Sequence, residues 1–163
     1  MSAVGQAQAS DCAICAKHRG EGPMKSQLIG RYDEFWVYHG YAGADGRAAF
    51  GHLVIESNRH APYLADLTDA EAASLGRLRS RVARALQDEL EVPFVFTAVI
   101  GRRLAHFHEH LLPRHPSVAP EVPWHQSDEA GPQADAEAVA ELANRLANRL
   151  GHRREGSEGS DLD

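Results

Sequence analysis

The stretch "RRLAHFHEHLLPRH", residues 102–115, sets histidines at 106, 108 and 110. An extended chain turns successive side chains to opposite faces. These three imidazoles would then share one face at intervals of roughly 6.5–7 Å, with Phe107, Glu109 and Leu111 on the other. Imidazole is a nucleophile, a proton carrier near neutral pH and a metal ligand. Three in register can hold a metal ion, as three-histidine zinc sites do, or serve as acid, base and nucleophile at a phosphorus centre. The string "HEH" is not the helical metalloprotease motif, since Leu112 and not histidine stands four residues after His108. A second candidate is "CAIC", where Cys12 and Cys15 have the spacing of a zinc knuckle. They supply two ligands where a tetrahedral structural site takes four. A redox pair is the alternative, but the preceding strand and βαβ setting of a thioredoxin-like motif are missing.

Such residues need elements to position them. "EFWVYHG" (34–40) and "GHLVIES" (51–57) carry the β-branched and aromatic runs of strands and flank the glycine-rich "YAGADGRAAF", which predicts a hairpin with a long loop. Thr68 and Glu71 form a capping box, and Leu75, Leu78, Val82 and Leu86 follow a helical stripe, predicting a long helix over 69–90. After Pro93, "FVFTAVI" and "LAHFHEHLL" read as two strands with Gly101, Arg102 and Arg103 at the turn. Leu142, Leu146 and Leu150 recur every four residues and mark a second amphipathic helix at about 135–150. The proline-rich segment 113–133 reads as an irregular loop whose length suggests a functional role.

A chain of 163 residues fits one domain, and 43% hydrophobic with 25% charged residues is the balance of a folded, soluble protein. The formal net charge of -6 argues against a general nucleic-acid binder, which needs a surplus of Lys and Arg on one surface. No window approaches the roughly 18 apolar residues of a membrane span, and the N-terminus has neither a basic start nor an apolar run. A cytoplasmic location is the expectation. Residues 1–10 and 151–163 are polar or charged with little to bury, so both ends are expected to be loose around a domain at 11–150.

The run "HFHEHLL" resembles the signature of the histidine-triad (HIT) family, in which three histidines alternate with mostly apolar residues and two apolar residues follow. "GHLVIESNRH", "LADLTDAEAASL", a long helix, a strand, a glycine-containing turn, the triad and "PRH" also fall in the family's order, over about residues 12–116. The resemblance implies an α+β, HIT-like fold: a five-stranded antiparallel sheet with one long helix and a C-terminal helix, usually paired as a homodimer. It implies a nucleotide hydrolase that cleaves a phosphoanhydride or phosphoramidate at the α-phosphorus through a nucleotidyl-histidine intermediate on His108. Diadenosine polyphosphates, nucleoside phosphoramidates and aminoacyl adenylates are the substrate types. His108 would bond the backbone carbonyl of His106 through its second nitrogen, and His110 would hold phosphate oxygens or help protonate the leaving group. His52 matches a family histidine beside the triad. A nucleotidyltransferase or phosphorylase using the same intermediate, and a non-catalytic nucleotide-binding signalling protein, are the alternatives.

The sequence further resembles the zinc-containing branch of that superfamily, which includes galactose-1-phosphate uridylyltransferase. There the two-cysteine knuckle is completed by a histidine preceding an H-x3-L-x2-L pattern, here His60, and by the first triad histidine, here His106. The implied structural Zn2+ would be held by Cys12, Cys15, His60 and His106. Three departures stand out. Gly101-Arg102-Arg103 replaces the usual Gly-Gln-Ser or Gly-Gln-Thr, and arginine's forked donors suit phosphate. The ribose-binding stretch is replaced by "YAGADGRAAF", with Asp45 the candidate contact. Glu109 takes an apolar position and is expected to be exposed or paired at the surface.

Overall fold

In the computed structural model of the protein, residues 9–151 are described. Their elements run α1 (Ala13–His18), β1 (Leu28–Tyr32), β2 (Phe35–His39), β3 (Ala48–Ala49), β4 (Leu53–Ser57), α2 (Asp69–Leu90), β5 (Val95–Ala98), β6 (His108–Pro113), α3 (Ser127–Ala130), β7 (Gln133–Ala134) and α4 (Ala136–Leu150). Five strands form one antiparallel sheet in the order β1-β2-β4-β6-β5, and β3 pairs with β7 in a second, two-stranded sheet. The expected five-stranded antiparallel sheet with one long helix and a C-terminal helix is the architecture observed. No helix among the described residues is long and apolar enough to cross a membrane.

One face of the sheet is the core. Phe35, Val37, Leu53, Ile55, Phe107 and Leu111 pack there against Leu75, Leu78, Val82 and Leu86 of α2 and Leu142, Leu146 and Leu150 of α4. The α2 start is capped as its sequence predicts: Thr68 Oγ1 accepts from the Glu71 N–H and Glu71 Oε2 accepts from the Thr68 N–H. Arg59 reinforces this cap, and its bonds to Glu71, aided by those from Thr68, outweigh burial and push that carboxyl down to about 2. The opposite face carries the histidines. Across the ladder Glu56 faces His108 and Val54 faces His110, while Trp36 and Tyr38 of β2 oppose Glu56 and Val54.

Several expectations need correction. β1 was not foreseen; Gly30 and Arg31 interrupt its apolar alternation, and a bulge lies between Leu28 and Gly30. The strand expected through "LAHFHEHLL" begins only at His108. Residue 107 instead bridges irregular backbone, its N–H donating to Ala61 O and its carbonyl accepting from Ser57 N–H. Glu109 is 2% exposed, not a surface residue. Strand alternation puts it between Phe107 and Leu111 under α2, where Arg79 reaches Oε1 at 2.7 Å.

Segment 113–133 is tied down and not irregular throughout. The buried Arg114 guanidinium donates to Ala119 O (2.6 Å), Val122 O (2.9 Å) and Ser127 Oγ (3.0 Å), and His115 Nε2–H donates to Phe50 O (2.7 Å). These bonds deliver α3 and β7 to the histidine side of the molecule. Of the two ends expected to be loose, residues 1–8 and 152–163 lie outside the described residues, while 9–11 form a 3-10 turn and Gly151 caps α4.

Candidate functional site

The site is built along one line of chain, from His106 to His110, and has two ends. At the first end His106 is fully buried. Its Nε2–H donates to Ser57 O at 2.7 Å, which turns the Nδ1 lone pair toward Cys12 Sγ and Cys15 Sγ, each 3.4 Å away. His60 Nδ1 lies 3.5 Å from Cys15 Sγ. The four ligand atoms lie within 4.8 Å of one another. Burial lowers His106 to about 4, so the ring is neutral and its lone pair free to ligate.

This donor set fits a tetrahedral zinc ion. Zinc–sulfur bonds of about 2.3 Å and zinc–nitrogen bonds of about 2.0–2.1 Å imply sulfur–nitrogen edges of roughly 3.5 Å, which is the spacing of His106 from both cysteines and of His60 from Cys15. Burial, then the neighbouring Cys12, pushes the Cys15 thiol up to about 11; a bound divalent cation is what draws such a proton off.

The first end is clamped from α1. Cys12 caps that helix by accepting from Cys15 N–H. One turn on, Lys17 Nζ lies 2.6 Å and His18 Nε2 2.9 Å from the two oxygens of Glu56, the residue facing His108. His18 stacks on Trp36 and Tyr38, with ring centroids 5.0 and 6.0 Å apart. Burial alone would raise Glu56; the bonds and charges of His18 and Lys17 hold it below its ordinary value, while burial pulls Lys17 down against the attraction of Glu56. Sequence reasoning missed this cluster. Its signal is non-local, since nothing near Glu56 announces that "KH" will cover it.

At the second end, His108 is half-buried and its Nδ1–H donates to His106 O at 2.7 Å. That bond fixes the tautomer and leaves the Nε2 lone pair free. His110 stands beside it at 5.3 Å between ring centroids. His110 Nδ1 meets His52 Nε2 at 2.9 Å, and His52 Nδ1 meets Asp128 Oδ2 at 2.7 Å. Burial first, then the charges of His52 and His108, lowers His110 to about 4. His52 is aimed from a turn at Gly51, whose φ of +85° is a conformation that favours glycine. The buried His39 holds the same turn, with Nδ1–H donating to Gly40 O and Nε2 accepting from Gly51 N–H.

The structure thus brings together Cys12, Cys15, His60 and His106, and separately His52, His108 and His110. Arg102 and Arg103 are both exposed on the turn preceding the triad, with no ion-pair partner among the described residues. Asp45 is exposed and accepts from Arg47 N–H at 3.0 Å, closing its own turn. Asp128 was missed, because only the folding of segment 113–133 carries it to His52.

No protein-family model and no curated protein matches the sequence significantly. Solved structures do match. A Hit-like protein involved in cell-cycle regulation from Bartonella henselae aligns over 89% of this chain and 100% of its own, at 15% identity and TM-score 0.66. The fold is that of the histidine-triad proteins. A zinc-bound histidine triad family protein from Mycobacterium smegmatis shares that HIT fold over 88% of this chain and 96% of its own, at 20% identity and TM-score 0.64. A hypothetical histidine triad nucleotide-binding protein from Sulfolobus tokodaii covers 86% and 92%, at 13% identity and TM-score 0.64. At such identities the HIT likeness speaks for architecture, and chemistry must be argued from the side chains.

Proposed function

We propose that this chain is a nucleotide hydrolase acting at the α-phosphorus of a phosphoanhydride or phosphoramidate through a nucleotidyl-histidine intermediate. The observation that carries the reading is the His108 Nδ1–H bond to His106 O, which makes Nε2, beside His110, the lone-pair nitrogen of the neutral ring. His108 Nε2 forms a bond to phosphorus as the leaving group departs with its electron pair, and water then releases the nucleotide. His110, its ring centroid 5.3 Å from that of His108, would donate to phosphate oxygens or the leaving group. Diadenosine polyphosphates, nucleoside phosphoramidates and aminoacyl adenylates fit this chemistry.

The test is rapid-quench mass spectrometry with a nucleotide panel, looking for an acid-labile nucleotidyl adduct on His108. Its absence, with no turnover of any panel member, would favour a non-catalytic nucleotide-binding role. A transferase or phosphorylase is the second reading, favoured by the exposed guanidiniums of Arg102 and Arg103 before the triad, without an ion-pair partner among the described residues, which suit an anionic acceptor in place of water.

We further assign Cys12, Cys15, His60 and His106 to a structural zinc ion, as in the zinc-containing branch that includes galactose-1-phosphate uridylyltransferase. The ion would supply rigid cross-linking of four ligands from distant parts of the chain. His106 is thereby held with its carbonyl against His108, which fixes the nucleophile's ring. Elemental analysis after expression with zinc tests this; less than about half an equivalent discards it. The homodimer and the cytoplasmic location rest on the family resemblance and the sequence, and sedimentation of the purified chain reads the former.

A further inference from the structure

We propose that Asp128 is a positioning residue which, through His52, sets the ring of His110 to give a proton to the leaving group and take one back from water. The inference rests on the reading of His108 as the nucleotidyl carrier and names what prepares its neighbour.

The geometry is a chain of three groups from α3, the turn before β4 and β6: Asp128 Oδ2 to His52 Nδ1 at 2.7 Å, and His52 Nε2 to His110 Nδ1 at 2.9 Å. Only one proton fits between His52 Nε2 and His110 Nδ1, and its side decides what His110 can do. If it sits on His110 Nδ1, the neutral ring has only a lone pair at Nε2 and cannot donate toward substrate. If it sits on His52 Nε2, His52 carries protons on both nitrogens and His110 keeps its own on Nε2. A carboxylate at Nδ1 favours that doubly protonated ring, because the charge-assisted bond is stronger than a neutral one. Asp128 therefore selects the Nε2–H form of His110.

The rest of the site supports this arrangement. Burial disfavours a charge on His110 itself, while the Asp128 carboxylate, 2.7 Å from His52 Nδ1, offers a counter-charge at the His52 end of the pair. The other titratable groups facing this triple are His39 of β2, buried and held neutral, together with His108 and Glu56. Asp128 is not on a free loop: the Arg114 guanidinium holds Ser127 Oγ immediately before it. Gly40 leaves room for the His52 ring, since a Cβ there would stand 3.0 Å from Nδ1.

The protons balance over a turnover. As His108 Nε2 bonds to phosphorus and the leaving group departs with its electron pair, His110 Nε2–H passes to that group and His52 Nε2–H moves to His110 Nδ1. His52 ends neutral, with Nδ1–H still on Asp128. When water attacks the nucleotidyl-histidine, its proton goes to His110 Nε2, and His110 returns the Nδ1 proton to His52.

The experiment compares kcat/KM for an AMP alkylamidate, whose amine must be protonated to leave, with that for the 4-nitrophenyl ester of AMP, whose phenolate needs no proton. Asp128→Asn preserves shape and removes the charge. It is expected to lower the alkylamidate value on the order of 10²-fold, and that fall should exceed the ester's at least about tenfold, with Asp128→Glu recovering part of the loss. An equal fall for both substrates, or no fall for either, would overturn the proposal. If the wild-type chain turns over neither substrate, the hydrolase reading is what fails, and nitrogen-15 NMR of the imidazoles still decides this one. His110 is expected as the Nε2–H tautomer in the wild type and as Nδ1–H in Asp128→Asn; the same tautomer in both sinks it.

Discussion

His106 and His110 are the same residue type four positions apart, on the same side of the sheet, and burial pushes both down to about 4. They nevertheless face different tasks. His106 donates through Nε2 to a backbone carbonyl and turns Nδ1 to two thiols, the arrangement of a metal ligand. His110 spends Nδ1 on a second histidine that is itself tied to a carboxylate, which leaves Nε2 facing outward. What differs is which nitrogen the protein occupies, and that is decided by groups distant in the chain: Ser57 for one ring, His52 and Asp128 for the other. His108 between them belongs to both ends, because its Nδ1 is held by the backbone of the metal-end histidine. The contrast teaches that support and chemistry share one short run of backbone, so loosening the first should blunt the second.

The comparison breaks most severely at its centre. His108→Ala removes the proposed nucleophile and should cut turnover by at least on the order of 10³-fold, while calorimetry finds the melting temperature within about 2 °C of wild type, since the ring is only half-buried. Substantial residual activity would remove His108 from its role.

A change at the metal end should do the reverse. Cys12→Ser is expected to lose zinc and roughly 3 kcal/mol of stability, about 6–12 °C in thermal midpoint for a chain of this size. Turnover should fall less than in His108→Ala. A variant that keeps its full zinc content would dissolve the assignment.

A smaller effect comes from pH. His110 binds a proton more weakly folded, at about 4, than unfolded, at 6.5. Between those values the unfolded state holds more protons, so this group's contribution to stability is complete above pH 6.5 and declines as pH falls toward 4. Denaturant midpoints measured across that window should fall less steeply in His110→Asn than in wild type, and parallel slopes would contradict the burial argument.

The smallest effect is expected on the far face of the strand. Glu109→Leu restores the apolar pattern between Phe107 and Leu111 and frees Arg79, whose 37% exposed side chain can turn to water. Stability should change by no more than about 1 kcal/mol in urea, with turnover unaffected. A loss several times larger would mean that the buried pair specifies how α2 seats on the sheet.

Much of the frame was legible in advance because its signals are local. The capping box at Thr68 and Glu71, the leucine stripes of α2 and α4, and the two strands around the glycine-rich loop each lie within a few turns or one hairpin. β1 was harder to see, since a five-residue strand with a glycine, an arginine and a bulge keeps little alternation. Glu109 misled because charge alone suggested solvent, whereas its place in the strand put it under a helix with a basic partner.

The sequence by itself determined the register of three histidines, the pair of cysteines at ligand spacing and the helices and strands that could carry them. Tertiary structure alone decided which nitrogen of His106 and of His110 is engaged, since those partners come from 49 residues away at Ser57 and 58 at His52, with Asp128 reaching His52 from a separate segment. Spacing along a chain sets which faces side chains take. Proton position depends on what is packed against each face, and that is known only once the chain has closed.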